Sequence, residues 1–262
     1  MHKFNNDWLF YREKIDAISR NEKIIKKINK YFKDHKILSI ADLGCGTGSN
    51  YRYMYPKIKV KQKWDMIDIS FESIKEFKKI TANNNKIINI NYKKFDLIKD
   101  IKKFKFENYD LITGSAYLDI MPKEWFYEFK KQNLNTKVIY FSINYDGYFK
   151  FYPKHKDDEY VLQLFNKDQE SDKGIGKKAV GKNCSQIINK VFTKTHKTFV
   201  LNSNWNVSKN KMFQDMFINF CENVIKKNKI SLEPWIKFRR ENIRLNKSKL
   251  LLRNKDFLAL KL

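Results

Sequence analysis

The chain has 262 residues, 42% of them apolar and 15% aromatic, which excludes a disordered chain and suffices for a sizeable core. The net charge of +25 comes from 54 basic residues, of which only seven are Arg. The excess is lysine spread over nearly every predicted helix and loop, in a chain also rich in Ile and Asn as an AT-rich coding sequence favours, so it does not by itself indicate a nucleic-acid partner. No run approaches 18 apolar residues, Met1 to Phe10 lacks a signal core, and the three cysteines are scattered without metal-ligand spacing. Neither export nor a membrane span nor a metal is therefore expected, and a reducing, cytoplasmic setting is.

Phe4 to Phe32 carries helical periodicity, with a break near Asn21-Glu22. Its aromatic cluster, Trp8 to Glu13, reads either as a helix packed on a sheet or as a lid in which Trp8, Tyr11 and Arg12 face a substrate, Arg12 meeting a carboxylate. Ile37 to Leu43 is a short apolar run expected as a buried strand, and it breaks into Gly44, Gly46 and Gly48 before helix-like sequence. Strand, glycine turn and helix form a nucleotide cradle, because glycine lets a ligand approach bare backbone. The spacing is G-x-G-x-G after Asp42, not the dinucleotide G-x-G-x-x-G.

The next strand, Lys63 to Ile69, ends on Asp68, twenty residues after Gly48. That is where an acidic residue accepts ribose hydroxyls in a βαβ unit. The alternatives are a helix cap at Asp68 or a role for Asp65. A helix from Phe71 to Ile80, a turn at Asn83-Asn84-Asn85 and a third strand, Lys86 to Tyr92, follow, and then Asp96 opens a short amphipathic segment. Tyr109 to Thr113 is a fourth strand running into Gly114 to Asp119, and Lys137 to Ile143 is a fifth. Ligands of such sheets lie beyond the carboxyl ends of the strands, which brings Ser115 close to the reacting centre. Lys182 to Phe192, Lys209 to Asn228 and Trp235 to about Leu252 read as helices. Lys197 to Asn202, extending toward Val207, and Asp256 to Leu262 read as a final antiparallel pair.

The alternation of elements predicts an α/β, doubly wound, seven-stranded and mostly parallel sheet with helices on both faces, an N-terminal helical extension and an insertion after strand 5. It divides into a helical cap at 1–36, a core at 37–143, an insertion at 144–183 and a closing part at 184–262, all of one domain. The irregular insertion is expected to cover the pocket, or to be surface turns.

The string Asp42-Leu43-Gly44-Cys45-Gly46-Thr47-Gly48 closely resembles motif I of the class I S-adenosylmethionine-dependent methyltransferases, which have a Rossmann-like fold. Resemblance in order and spacing covers roughly Ile37 to Ile143. It implies S-adenosylmethionine as cofactor and S-adenosylhomocysteine as product. It further implies contacts from Asp42, Gly44, Cys45, Gly46, Asp68, Ile69, Leu97 and Ser115, with Asp96 on the adenine. The family's motifs for exocyclic-amine and cytosine-C5 methylation of bases are absent from the loop after the fourth strand. Methyl transfer from a sulfonium needs alignment more than a dedicated catalytic constellation. The expected activity is methylation of a small molecule on S, O or N, with Tyr117, Asp119, Tyr145 and His155 as pocket candidates. Methylation of RNA, less so of DNA, and non-catalytic cofactor binding are the alternatives.

Overall fold

The computed structural model describes residues 6–81, 89–174 and 176–262. The start of the first expected helix at Phe4, the Asn83-Asn84-Asn85 turn and the first residues of the third expected strand lie outside the described residues.

The apolar run at the head of the glycine loop forms β1 (Ile37–Leu43), in which every residue from Ile40 on is buried. Around it stand β2 (Lys61–Asp68), β3 (Ile90–Lys94), β4 (Leu111–Ser115) and β5 (Val138–Tyr152), all parallel. The order among the described residues is β3-β2-β1-β4-β5-β8-β6, where β6 is His196–Asn202 and β8 is Lys249–Lys261. β8 runs antiparallel to both of its neighbours, and a short β7 (Trp205–Val207) pairs its first half. The sheet therefore has eight described strands rather than seven, because the residues expected to prolong the sixth strand form a separate one.

Helices cover both faces. α2 (Glu22–Tyr31) and α3 (Ser49–Met54) pack Ile24, Ile28, Tyr51 and Met54 on one face, together with Phe77 of α4 (Phe71–Thr81). α5 (Lys123–Gln132) and α7 (Cys184–Phe192) pack Trp125, Phe129 and Ile188 on the other. A third apolar cluster joins α1 (Asn6–Ser19), α6 (Asp158–Gln169), α8 (Lys211–Lys227) and α9 (Glu233–Arg244) to the outer half of β5 and to β7. Among the described residues no helix is long and apolar enough to cross a membrane, and no group of three His, Cys, Asp or Glu is gathered to hold a metal.

Two boundaries differ from expectation for local reasons. β5 does not stop at Ile143. Left-handed backbone at Ile143 (φ 55°) and Gly147 (φ 78°) accompanies two register shifts against β8, and pairing continues to Tyr152. The irregular part of the insertion thus begins at Pro153. α9 stops at Arg244 instead of continuing to Leu252, because Asn246 turns left-handed (φ 57°) and the Lys247 and Ser248 amides return to the Asn242 carbonyl. The freed Leu250 and Leu252 then enter β8 as buried residues.

α9 is pinned to α6 by one buried cation. Arg239 is fully buried, donates to the Pro153 carbonyl at 2.6 Å and pairs with Asp158, which also accepts from the Trp235 indole at 2.8 Å. Removing one partner of such a pair strands the other charge. Arg239→Ala should therefore lower stability by roughly 3 kcal/mol or more, read in thermal melts as a Tm fall of about 6–12 °C. A fall below about 2 °C would mean that packing alone holds α9 in place.

Candidate active site

β1 is hydrogen-bonded to β2 on one side and β4 on the other, so the strand order reverses beside it. The crevice beyond the carboxyl ends of β1 and β4 is where an open α/β sheet takes its ligand. The glycine loop fills this position. Gly44, Gly46 and Gly48 all adopt positive φ, and their surroundings assign them different tasks. A Cβ on Gly48 would lie 1.8 Å from the Phe77 ring, and one on Gly44 would lie 2.5 Å from the Tyr117 ring. Those two positions admit aromatic rings onto the backbone. A Cβ on Gly46 would meet nothing within 4 Å, which leaves backbone open for a ligand.

The loop is tied to β2. The Gly46 amide donates to Asp68 Oδ2 at 2.8 Å, the Cys45 amide donates to the Ile67 carbonyl at 3.0 Å, and the Ser70 amide donates to Asp68 Oδ1 at 2.8 Å. Burial raises the pKa of Asp68, and the amides of Ser70, Gly46 and Ile69 act against that rise. Each carboxylate oxygen retains acceptor capacity beyond these bonds. Burial also pushes the Cys45 thiol well up, which keeps it from acting as a nucleophile.

Beneath the loop lies a buried polar chain. Asn50 donates to Asp42 Oδ1 at 2.6 Å and to the Thr113 hydroxyl at 3.1 Å, while its own Oδ1 accepts from Arg20 Nη1 at 2.6 Å. Arg20 Nη2 reaches the Ser115 hydroxyl at 3.0 Å, and the guanidinium lies 4.4 Å from the centre of the Tyr53 ring. Burial drives the Asp42 pKa up to about 7, with the Asn50 hydrogen bond and the Arg20 charge opposing it. Asp42 Oδ2 and Arg20 Nε are both buried without a partner. Two buried groups of opposite charge thus lack partners beneath the glycine loop.

α1 is fastened over this loop. Arg52 of α3 forks onto Glu13 with Nε and Nη2 at 2.7 and 2.6 Å, and its Nη1 donates to the Thr47 carbonyl at 2.6 Å. Arg20 and Asn50 escape a reading of linear motifs, because their partners lie far off in sequence. The available signal was compositional: an Arg retained in a chain that uses Lys elsewhere marks a place for a planar, multiply donating cation.

The remaining expected residues fall into three groups. Asp42, Gly44, Cys45, Gly46, Asp68 and Ser115 meet at the crevice. Tyr117 joins them, its ring on Gly44 and stacked with Phe141 at 6.2 Å, its hydroxyl pKa raised by burial. Ile69 follows Asp68 directly, and Leu97 is buried with its carbonyl accepting from the Trp125 indole at 3.0 Å. Asp96 caps a turn, Oδ1 accepting from the Ile98 and Lys99 amides at 3.0 Å each. A second group is structurally engaged. Trp8 stacks on Phe213 at 4.9 Å, and the carboxylate that Arg12 meets is Asp16 of its own helix at 2.9 Å, which also accepts from the Trp205 indole. Tyr11 is half-buried, edge-on to Phe10 at 5.5 Å. Tyr145 donates to Asn166 Oδ1 at 2.9 Å. His155 stands apart at the head of α6, its Nδ1 accepting from the Asp157 amide and its ring against Phe238. Asp119 occupies the short turn Leu118–Ile120 after β4, with a buried Oδ1 that has no hydrogen-bond partner.

Residues 40–132 match the family model described as a methyltransferase domain. No curated protein matches the sequence. Among solved structures, a cyclopropane-fatty-acyl-phospholipid synthase-like protein from Lactobacillus casei is 10% identical at a TM-score of 0.58, over 95% of this chain and 91% of that one. The YcgJ protein from Bacillus subtilis is 10% identical at 0.52, over 92% and 100%. At these identities the likeness is one of fold.

The glycines separate in one experiment. Gly46→Ala should fold, carrying roughly 1–2 kcal/mol of left-handed strain, yet lose at least tenfold in S-adenosylmethionine affinity by calorimetry. Gly48→Ala should lower Tm more, since the Phe77 ring must move. Equal affinity of Gly46→Ala and the native chain would show that the cofactor does not approach that backbone.

Proposed function

We propose, for a chain whose residues 40–132 match a methyltransferase-domain model, that it is a class I S-adenosylmethionine-dependent methyltransferase and methylates a small molecule in the crevice beyond β1 and β4. The observation that carries this reading is the open Gly46 backbone held by Asp68, above a buried chain in which Asp42 Oδ2 and Arg20 Nε lack partners. When bound, the cofactor supplies a methyl group on a sulfonium whose departure leaves a neutral thioether.

The chain's own residues bind, orient and exclude water. Arg20 and Asp42 would hold the carboxylate and ammonium of the methionine end, and Gly46 would leave room for its approach. Asp68 would accept from the ribose hydroxyls with lone pairs not used by the loop amides, and Asp96 from the adenine amino group with Oδ2, since its Oδ1 is engaged. Ser115, fixed by Arg20, would border the transferred methyl. A small acceptor is supported by the loop after β4, which lacks the family's motifs for methylating nucleic-acid bases.

Calorimetry with S-adenosylmethionine tests the reading. The native chain should bind, and Asp68→Ala and Arg20→Gln should each weaken binding at least tenfold. Unchanged affinity in Asp68→Ala would remove the ribose assignment, and no binding by the native chain would remove the function. Release of S-adenosylhomocysteine with pooled small nucleophiles, and none with total RNA, is the expected turnover result.

A further inference from the structure

We propose that Asp119 is the acceptor-binding carboxylate of this site and that the acceptor is a small amine, whose nitrogen it engages and whose proton it takes. The inference rests on the methyl-transfer reading above and names its substrate class.

Asp119 lies two residues beyond Tyr117, whose ring rests on the glycine loop, and four beyond Ser115, which Arg20 holds. It is therefore carried by the loop after β4, beyond the carboxyl end of that strand, where an open α/β sheet takes its ligand. Four elements surround it with groups that sense its charge: Arg12 of α1, Tyr145 of β5, Lys173 of the insertion and Cys184 of α7. Tyr145 and Cys184 are neutral, since burial raises both pKa values. The two cations are engaged elsewhere. Arg12 Nε lies 2.9 Å from Asp16, and Lys173 Nζ is 2.6 Å from the Asp168 carbonyl and 3.1 Å from its carboxylate. Among the described residues no salt bridge reaches Asp119, and its Oδ1 is closed off from solvent without a hydrogen bond.

Two other carboxylates are spent on the fold: the partly exposed Asp158 holds Arg239 and Trp235, and the buried Asp256 accepts the Ile143 and Asn21 amides. A carboxylate oxygen closed off from solvent with no partner is costly unless a donor arrives. An ammonium or amine supplies both the N–H and the opposing charge, whereas a thiolate or carboxylate acceptor would be repelled. Aliphatic amines are protonated near neutral pH, so the nitrogen must shed a proton before its lone pair can attack. The balance is simple. The proton passes to the Asp119 carboxylate, the nitrogen lone pair forms the new N–C bond, the C–S bond breaks with its electrons on sulfur, and Asp119 returns the proton to solvent.

Burial raises the Asp119 pKa to about 6, against its own backbone amide and the pull of Arg12 and Lys173. The base is ionised above that value, so turnover should rise as pH increases through about 6.

The test uses the full chain with S-adenosylmethionine and measures S-adenosylhomocysteine release with separate pools of primary and secondary aliphatic amines, phenols and alcohols, thiols, and carboxylates. Release is expected with the amine pools alone. Asp119→Asn should lose at least about a hundredfold in turnover, keep cofactor affinity within twofold and show no limb near pH 6, while Asp119→Glu should recover part of the rate. Cofactor binding without amine turnover, or full turnover by Asp119→Asn, overturns the amine assignment alone. Failure of the native chain to bind S-adenosylmethionine overturns both this inference and the methyl-transfer reading beneath it.

Discussion

The buried carboxylate of Asp42 is the constraint around which the site is built. It lies fully buried near the end of β1 and cannot be left alone there. Asn50 answers it from α3, Arg20 answers Asn50 from the end of α1, and Arg20 also reaches Ser115 at the end of β4. One charge in the core thereby fixes the relative positions of the helix after the glycine loop, the N-terminal helix and the strand on the far side of the crevice. The network remains incomplete at Asp42 Oδ2 and Arg20 Nε, two charged groups that the fold alone leaves without partners.

A similar economy holds at the loop itself. Asp68 both anchors Gly46 and faces the crevice, so the residue that would recognise the ribose is also the one that shapes the backbone beside it. The rings of Phe77 and Tyr117 occupy the space that side chains at Gly48 and Gly44 would need. Loop conformation is thus set from three directions, by β2, α4 and the turn after β4. Such a loop is held in place by packing rather than by its own sequence.

These origins explain what could be read in advance. The glycine loop, Asp42 and Asp68 were legible because their meaning lies in short spacing along one βαβ unit. The parallel core followed from alternating apolar runs. The extension of β5 was not legible, since Asn144 to Gly147 carries turn residues and only pairing with β8 keeps that stretch in the sheet. The end of α9 was missed because Leu250 and Leu252 suit either period, and the left-handed Asn246 decides between them. Arg12 attracted notice through its aromatic neighbours, but a carboxylate one turn away already engages it, whereas Arg20 acts through partners 30 and 95 positions distant. Pairings of that range have no local signature.

The place of β8 has a consequence for how the molecule is made. It lies between β5 and β6 and also receives β7, yet it follows all three in the chain, with Leu260 pairing back to Val138. Until it emerges from the ribosome, the largely apolar first half of β5 presents an unpaired edge and β6 has no neighbour. Contacts of such sequence separation form slowly, and an exposed apolar edge is a template for wrong pairing. The nascent chain therefore depends on β8 to close the sheet, and its lysine-rich surface supplies mutual repulsion between unfinished copies in the meantime.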